Sequence, residues 1–223
     1  MLRYGIPAYR LPRKELDEEI QFILDQGVDA NCNIIVDAES LKKIMEEFDA
    51  TYLAIGDHGS SKLGIDGEDA PEVLSAVEIL RKLGDVVDAP AGIHGAKTLD
   101  EMREDFAGKK VIVVGGGNVA MDCARSARHL GADVTVAYRR RLADMPAHEY
   151  EIQGAMQESI NFEELMAPVE IICEGGHVKA LRCQPQIVTD YRGSRANIKA
   201  AKADPVDLPA DYVIVAIGQK IDT

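Results

Sequence analysis

The feature that most constrains this chain is the run KKVIVVGGGNVAMD, residues 109 to 122. KKVIVV reads as a short strand whose apolar side chains are buried on both faces, as in a parallel sheet. It passes directly into Gly115-x-Gly117-x-x-Ala120, after which residues 118–130 read as a helix that ends at Gly131. DVTVAY, residues 133–138, then reads as a second strand. A dinucleotide site needs this order. Gly115 permits the tight turn, Gly117 lets backbone approach a pyrophosphate with no Cβ in the way, and Ala120 lets the helix pack closely on the strand. Asn118 and Val119 open that helix, where free N–H groups and a partial positive charge face the phosphates. Glycine turns also join strands to helices without any ligand, but here strand, turn, helix and second strand come in order.

The end of the second strand selects the nucleotide. Units that bind NAD place an acid about 20 residues past the glycines, on the ribose 2′-hydroxyl, whereas NADP units place Arg there for the 2′-phosphate. The sequence continues VTVAYRRRL, so Arg139 and Arg140 stand where the carboxylate would be, and no acid follows before Asp144. A guanidinium grips phosphate bidentately, which makes NADP(H) the expected ligand. The competing reading of these arginines is a solvated basic loop. An S-adenosylmethionine site also uses a glycine turn after a first strand, but it holds the ribose with an acid, so the arginines argue against it.

Composition narrows the alternatives. The net charge of −13 opposes broad attraction to nucleic acid or anionic membranes. Aromatic content is 5% with no Trp, which leaves little for base stacking. No apolar run reaches membrane-span length, the opening MLRYGIPAYRLPRK lacks an apolar signal region, and the expected location is the cytoplasm. Cys32, Cys123, Cys173 and Cys183 form no CxxC and have no His at ligand spacing, so they read as reduced thiols, with no metal site expected. The five histidines are scattered. No catalytic side chain is assigned.

Elsewhere the pattern predicts α/β structure. Residues 1–12 are extended or turn-like around Pro7 and Pro12, 13–26 are helical with Gly27 as the cap, and 39–48 form a second helix. VDANCNIIV (28–36) and ATYLAIG (50–56) read as strands, the latter buried. A Gly/Asp-rich linker over 56–72 marks a domain boundary. A helix is expected over 71–83 from Pro71, a loop over 84–96, and a short helix at TLDEMREDF with Thr98 and Glu101 as a capping box. Residues 147–158 look helical. INFEEL, PVEIICE and HVKALRCQPQIV form a small antiparallel run turning at Gly175-Gly176, and ADYVIVAIGQ (210–219) is a final buried strand. DATYLAIGD and ADYVIVAIGQ echo each other, so the chain enters and leaves the central unit by similar routes.

LRYGIPAYRLP (2–12), LAIGD (53–57), GGGNVAMDCARSARHLGA (115–132), VTVAYRR (134–140), DMPA (144–147) and VIVAIGQ (213–219) together span nearly the whole chain. In these segments it resembles the small (beta) subunit of bacterial NADPH-dependent glutamate synthase and its relatives. Those relatives include the flavin part of dihydropyrimidine dehydrogenase and NADH-dependent ferredoxin:NADP oxidoreductases. The resemblance implies a Rossmann-like flavoprotein fold with two dinucleotide-binding domains, the NADP domain inserted into an FAD domain. The implied divisions are a partial FAD domain over 1–57, an intact NADP(H) domain over 58–218, and a returning FAD segment over 219–223.

In such proteins NADPH gives hydride to FAD, and electrons leave through 4Fe-4S clusters to a large catalytic subunit or a ferredoxin. Gly115, Gly117, Asn118, Val119 and Ala120 are then expected at the pyrophosphate and Arg139 and Arg140 at the 2′-phosphate, with Gly218 near the nicotinamide by resemblance alone. The expected flavin fingerprint and cluster cysteines are not among these residues. The expectation is therefore a piece of a longer protein that binds NADPH, holds neither FAD nor a cluster by itself, and needs the remaining FAD-domain segments to turn over. The alternative is an NADP(H)-sensing module without redox chemistry of its own.

Overall fold

The computed structural model describes residues 1–88, 98–192 and 195–221. A turn-rich start leads into α1 (Arg13–Leu24), which ends where Gly27, at φ +89°, donates its N–H to the Leu24 carbonyl at 2.9 Å. α2 (Ala38–Glu47) opens on Asp37, whose carboxylate accepts from the Ser40 N–H at 2.8 Å. There follow β1 (Gly59–Ser60), β2 (Val73–Ser75), α3 (Ala76–Asp88), α4 (Leu99–Phe106), β3 (Lys110–Val114) and α5 (Asn118–His129). Then come β4 (Asp133–Tyr138), α6 (Glu149–Gln157), β5 (Asn161–Glu164), β6 (Met166–Glu174), β7 (His177–Arg192) and β8 (Arg195–Ala200). The chain closes with β9 (Val206–Pro209), β10 (Tyr212–Val215) and β11 (Gln219–Lys220). α4 carries the expected capping box, with Thr98 Oγ1 accepting from the Glu101 N–H and Glu101 accepting from the Thr98 N–H.

Five strands form one parallel sheet in the order β2-β10-β3-β4-β5. Its side chains divide by alternation. Val111, Val113, Val134, Val136 and Ile214 enter a core shared with α3, α4 and α5, while Ile112, Val114, Ala137, Val213 and Val215 enter a second core. The second core is closed by Ile171, Val178, Leu181 and Cys183 of the antiparallel sheet β6-β7-β8, with β9 on β7. The result is three layers: helices, parallel sheet, antiparallel sheet. Both faces of the parallel sheet are covered, which is why KKVIVV and DYVIV are apolar without alternation.

Several expectations are corrected. The strands predicted over 28–36 and 50–56 have no ladder partner among the described residues. Ile35 is 92% exposed and Tyr52 91%, so high strand propensity without a partner sheet yields only extended chain. The helix predicted from Pro71 begins later, because Val73–Ser75 pair in parallel with β10 as an edge strand before α3 starts at Ala76. The loop predicted over 84–96 is helical to Asp88, and its remainder lies outside the described residues. INFEEL belongs to the parallel sheet beside β4, not to the antiparallel run. The Gly175-Gly176 hairpin between β6 and β7 is present, whereas β8 and β9 lacked a legible signal. Of the two echoed stretches, only ADYVIVAIGQ holds strands, β10 and the start of β11, while DATYLAIGD is extended chain with no ladder partner among the described residues, so the echo in sequence does not extend to structure. β1 and β11 lie antiparallel, and the Ser61 N–H donates to the Gly218 carbonyl at 3.1 Å.

The segment 56–72 docks against β6. Gly67, at φ +81°, runs so close to it that an added Cβ would lie 2.1 Å from the Ile171 carbonyl oxygen. The N-terminal segment packs on the helical layer. It crosses α3 at Gly84, where a Cβ would meet Tyr4 Cα at 2.9 Å. Arg10 then reaches α5 and α6 together. Its Nη2 donates to Asp122 and Glu151, each at 2.6 Å, and its Nη1 also pairs with Glu151. Beside it, Arg125 donates to Glu158 at 3.0 and 2.7 Å and lies over the Tyr9 ring, 4.8 Å from its centroid. Among the described residues no helix is long and apolar enough to cross a membrane.

This cluster yields a stability prediction. Burial raises the Asp122 carboxyl above the usual range, and Arg10 opposes that rise. The Glu151 side chain is only 2% exposed, so Arg10→Ala leaves two buried carboxylates with Arg125, 3.7 Å from Glu151, as the remaining cation and should cost ~3 kcal/mol at neutral pH. With Arg10 gone, Asp122 in the folded state lies further above its unfolded value. The folded state then binds more protons than the unfolded, and stability falls as pH rises through the carboxylate range. The expected outcome in urea unfolding is a large deficit at neutral pH that narrows in acid. A deficit that is small or independent of pH would refute the account.

Candidate nucleotide-binding site

The glycine turn sits at the carboxyl end of β3, between the ends of β4 and β10, the crevice where open parallel sheets place their ligands. The Gly115 N–H donates to the Ala137 carbonyl at 3.2 Å, and the Ala216 N–H donates to Val114 at 2.8 Å. Gly115 therefore passes between both neighbours at φ +147°, and an added Cβ would lie 2.2 Å from the Ala216 carbonyl oxygen. Gly116, to which the sequence pattern gave no role, is also locked: its Cβ would stand 2.6 Å from the Tyr138 ring. Gly117 differs. A Cβ there meets nothing within 4 Å and would project into open space at the start of α5, which has no side-chain cap. Ala120 is fully buried in the helical core, as close helix–strand packing requires.

A cleft of about 590 Å³ opens above this turn. Gly115, Gly117, Asn118, Val119, Arg139 and Gly218 all line it, whereas Ala120, buried in the helical core, and Arg140 are not among its lining residues. Strand order puts Gly218, past β10, and Arg139, past β4, on opposite sides of the glycine turn. Gly218 adopts φ +128° with only Ser61 Oγ near a prospective Cβ, so backbone conformation and not crowding calls for glycine there.

The loop leaving β4 is tied back to the turn. Ala147 donates its N–H to the Gly116 carbonyl at 3.0 Å, and His148 donates to the Asn118 side-chain oxygen at 2.9 Å. Asn118 thus lines the cleft while its amide oxygen holds the loop, a role that spacing alone does not reveal. The Tyr138 hydroxyl donates to the Asp144 carbonyl at 3.1 Å, and Leu142 donates its N–H to Glu164 at 2.7 Å.

The three arginines have separate environments. Arg139 is exposed on the cleft wall. Arg141 forks onto Asp144 through Nε and Nη2, both at 2.8 Å, and its hydrogen bonds hold the Asp144 carboxyl below the usual range. Arg140 is half-buried, and its Nε and Nη1 are buried without a hydrogen-bond partner. Unpaired buried guanidinium donors are costly, and an anion is the group that would satisfy them. Elsewhere, no cluster of three or more His, Cys, Asp or Glu side chains able to hold a metal ion occurs among the described residues.

Comparison with known proteins agrees with this geometry. Residues 4–223 match the family described as pyridine nucleotide-disulphide oxidoreductase. The beta subunit of the NADP(+)-dependent formate dehydrogenase of Moorella thermoacetica is 38% identical over all of this chain and 30% of that protein. The small chain of the NADPH glutamate synthase of Escherichia coli K12 is 30% identical over 98% of this chain and 46% of that protein. The chain thus spans between about a third and a half of these relatives. Among solved structures, FprA of Mycobacterium tuberculosis in complex with NADPH superposes with a TM-score of 0.71 at 17% identity. That match covers 98% of this chain and 61% of FprA, a likeness of fold. By its family match, with this strand order and glycine turn, the chain belongs to the pyridine nucleotide-disulphide oxidoreductase family.

Proposed function

We propose that this chain is the NADP(H)-binding portion of an FAD-dependent oxidoreductase that passes hydride from NADPH to FAD and on to iron–sulfur clusters, as in the small subunit of glutamate synthase. The observation that carries the nucleotide assignment is the pair of unpartnered, buried guanidinium nitrogens on Arg140, next to Arg139 on the wall of a cleft floored by a bare glycine turn. Gly115, Gly117, Asn118, Val119 and Ala120 then form the pyrophosphate end, with Arg139 and Arg140 at the 2′-phosphate and Gly218 toward the nicotinamide. The residues fit the group. Gly117 leaves open the space a Cβ would fill, the first N–H groups of α5 face it, and the arginines supply a local positive charge in a chain of net charge −13.

Bound NADPH would supply the hydride; the work of the chain is to position it and exclude competing geometries. The described residues present one such glycine cradle, so no step through FAD is assigned to them. We place FAD with further segments of an FAD domain to which residues 1–57 and 219–223 contribute, and the NADP(H) domain at 58–218. The apolar, unpaired stretches 28–36 and 50–56 support that division, since each has the composition of a sheet strand. The names of the relatives, a beta subunit and a small chain, support a partner subunit, with a ferredoxin as the other acceptor considered.

The primary test is parallel titration of the chain with NADPH and NADH, followed by nucleotide fluorescence. NADPH is expected to bind more tightly. Arg139→Ala with Arg140→Ala should weaken it at least about tenfold and leave NADH nearly unchanged, since each charge-assisted contact to phosphate is worth ~1.5–3 kcal/mol. Equal binding of both nucleotides would sink the assignment. A second substitution separates site from fold. Gly117 has φ −93° and ψ 175° at the N-cap, where Asp is favoured and its Cβ meets no neighbour. Gly117→Asp should therefore melt no lower than wild type yet lose both nucleotides, by repelling the pyrophosphate. Retained binding would show that the phosphates lie elsewhere.

A further inference from the structure

Three consecutive arginines follow β4, and one of them is already committed to a carboxylate. Arg141 is committed to Asp144 through two parallel hydrogen bonds, and the Asp144 side chain is 3% exposed. The Asp144 backbone is held as well. Its carbonyl accepts from the Tyr138 hydroxyl, and its N–H donates to the Arg141 carbonyl at 2.9 Å. Arg140 lies in the same loop, fixed through its carbonyl, which accepts from the Leu165 N–H at 2.9 Å. Its positive charge acts on Asp144 as well. A buried carboxylate therefore sits within electrostatic reach of a guanidinium with two unpartnered nitrogens, and the two are not paired.

That is an unusual arrangement. Left to itself, a buried carboxylate takes the nearest unpaired guanidinium, because each group then satisfies the other. The loop contains a second guanidinium that prevents this.

We infer that Arg141 is a specificity-determining positioning residue: by occupying both oxygens of Asp144 it keeps that carboxylate off Arg140, whose guanidinium stays available for the 2′-phosphate of NADP(H). The inference rests on the proposed nucleotide assignment and adds a role that neither the glycine pattern nor the arginine count contains. Arg141 touches no phosphate; it acts through Asp144. The triplet is then one guanidinium on the cleft wall, one held open, and one neutralising the acid that would close it.

The arrangement makes the two halves of one ion pair respond in opposite directions, which a purely structural pair would not do. Removing Arg141 frees Asp144 to pair with Arg140, so discrimination falls. Removing the Asp144 charge leaves Arg140 open, so discrimination is kept. The experiment titrates wild type, Arg141→Ala, Asp144→Asn and the double variant with NADPH and NADH, with 2′,5′-ADP and 5′-ADP as probes of the phosphate alone. Arg141→Ala should lower the ratio of NADPH to NADH affinity about tenfold, the effect of losing one charge-assisted contact. Asp144→Asn should hold or raise that ratio. The double variant should return to within about twofold of wild type, and 2′,5′-ADP should follow the same order.

A double variant no better than Arg141→Ala would overturn the inference. So would an Asp144→Asn loss as large as that of Arg141→Ala, which would mark the pair as mere loop support. Melting curves accompany each titration. If Arg141→Ala alone does not fold, Asp144→Asn decides: an unchanged or higher ratio supports the role and a tenfold drop refutes it. A wild-type chain that does not prefer NADPH would remove the nucleotide assignment itself, and this inference with it. A wild-type preference with no rescue in the double variant would remove the inference alone.

Discussion

β3 and β10 each send alternate side chains into two different cores, one closed by helices and the other by an antiparallel sheet. This double covering is what the remaining architecture depends on. It demands apolar residues at every position of the central strands, and it fixes their register. It also brings their carboxyl ends so close that the turn after β3 has room for a hydrogen where any other residue has a Cβ. The site is thus the consequence of packing below it. The cleft opens where the strands stop, and α5 begins there because the chain has no other direction in which to leave a sheet covered on both sides.

The same packing gives a physical reason for the opening segment. Tyr9 and Arg10 belong to the motif LRYGIPAYRLP, and in the fold they press against α5 and α6. Arg10 joins Asp122, one turn into the helix whose first turn faces the cleft, to Glu151 on the helix that follows the arginine loop. Breaking such a buried group of charges is costly because the partners left behind remain in low dielectric. The cluster therefore fixes α5, whose first turn lines the cleft, relative to α6 and to the opening segment.

Legibility varied with how local the cause was. The helix ends at Gly27 and Gly131, the capping box at Thr98 and Glu101, and the hairpin at Gly175-Gly176 all depend on a few neighbouring residues, and each was readable. The strand β2 was missed because three residues carry no periodicity; pairing with β10, from the far end of the chain, makes it a strand. INFEEL was placed in the wrong sheet for the same reason, since pattern gives strand character but not partner. The stretches 28–36 and 50–56 show the converse, strand-like sequence with no strand to join among the described residues. In the site, the glycine spacing and the arginines were legible, but the locked Gly116, the loop tie through Asn118 and the division of labour among the three arginines were not.

By itself the sequence determined the α/β class, the position of the glycine turn and the run of arginines that follows the next strand. These rest on short-range rules: φ > 0 needs glycine, a doubly buried strand needs apolar side chains, and phosphate calls for guanidinium. Only the tertiary structure decided which arginine is open and which is spent on an acid, because that depends on a loop folded back onto the turn by hydrogen bonds from Ala147 and His148. Three identical side chains in a row are indistinguishable in sequence. They become different residues when packing buries one without a partner, exposes another on the cleft wall and sets the third against Asp144.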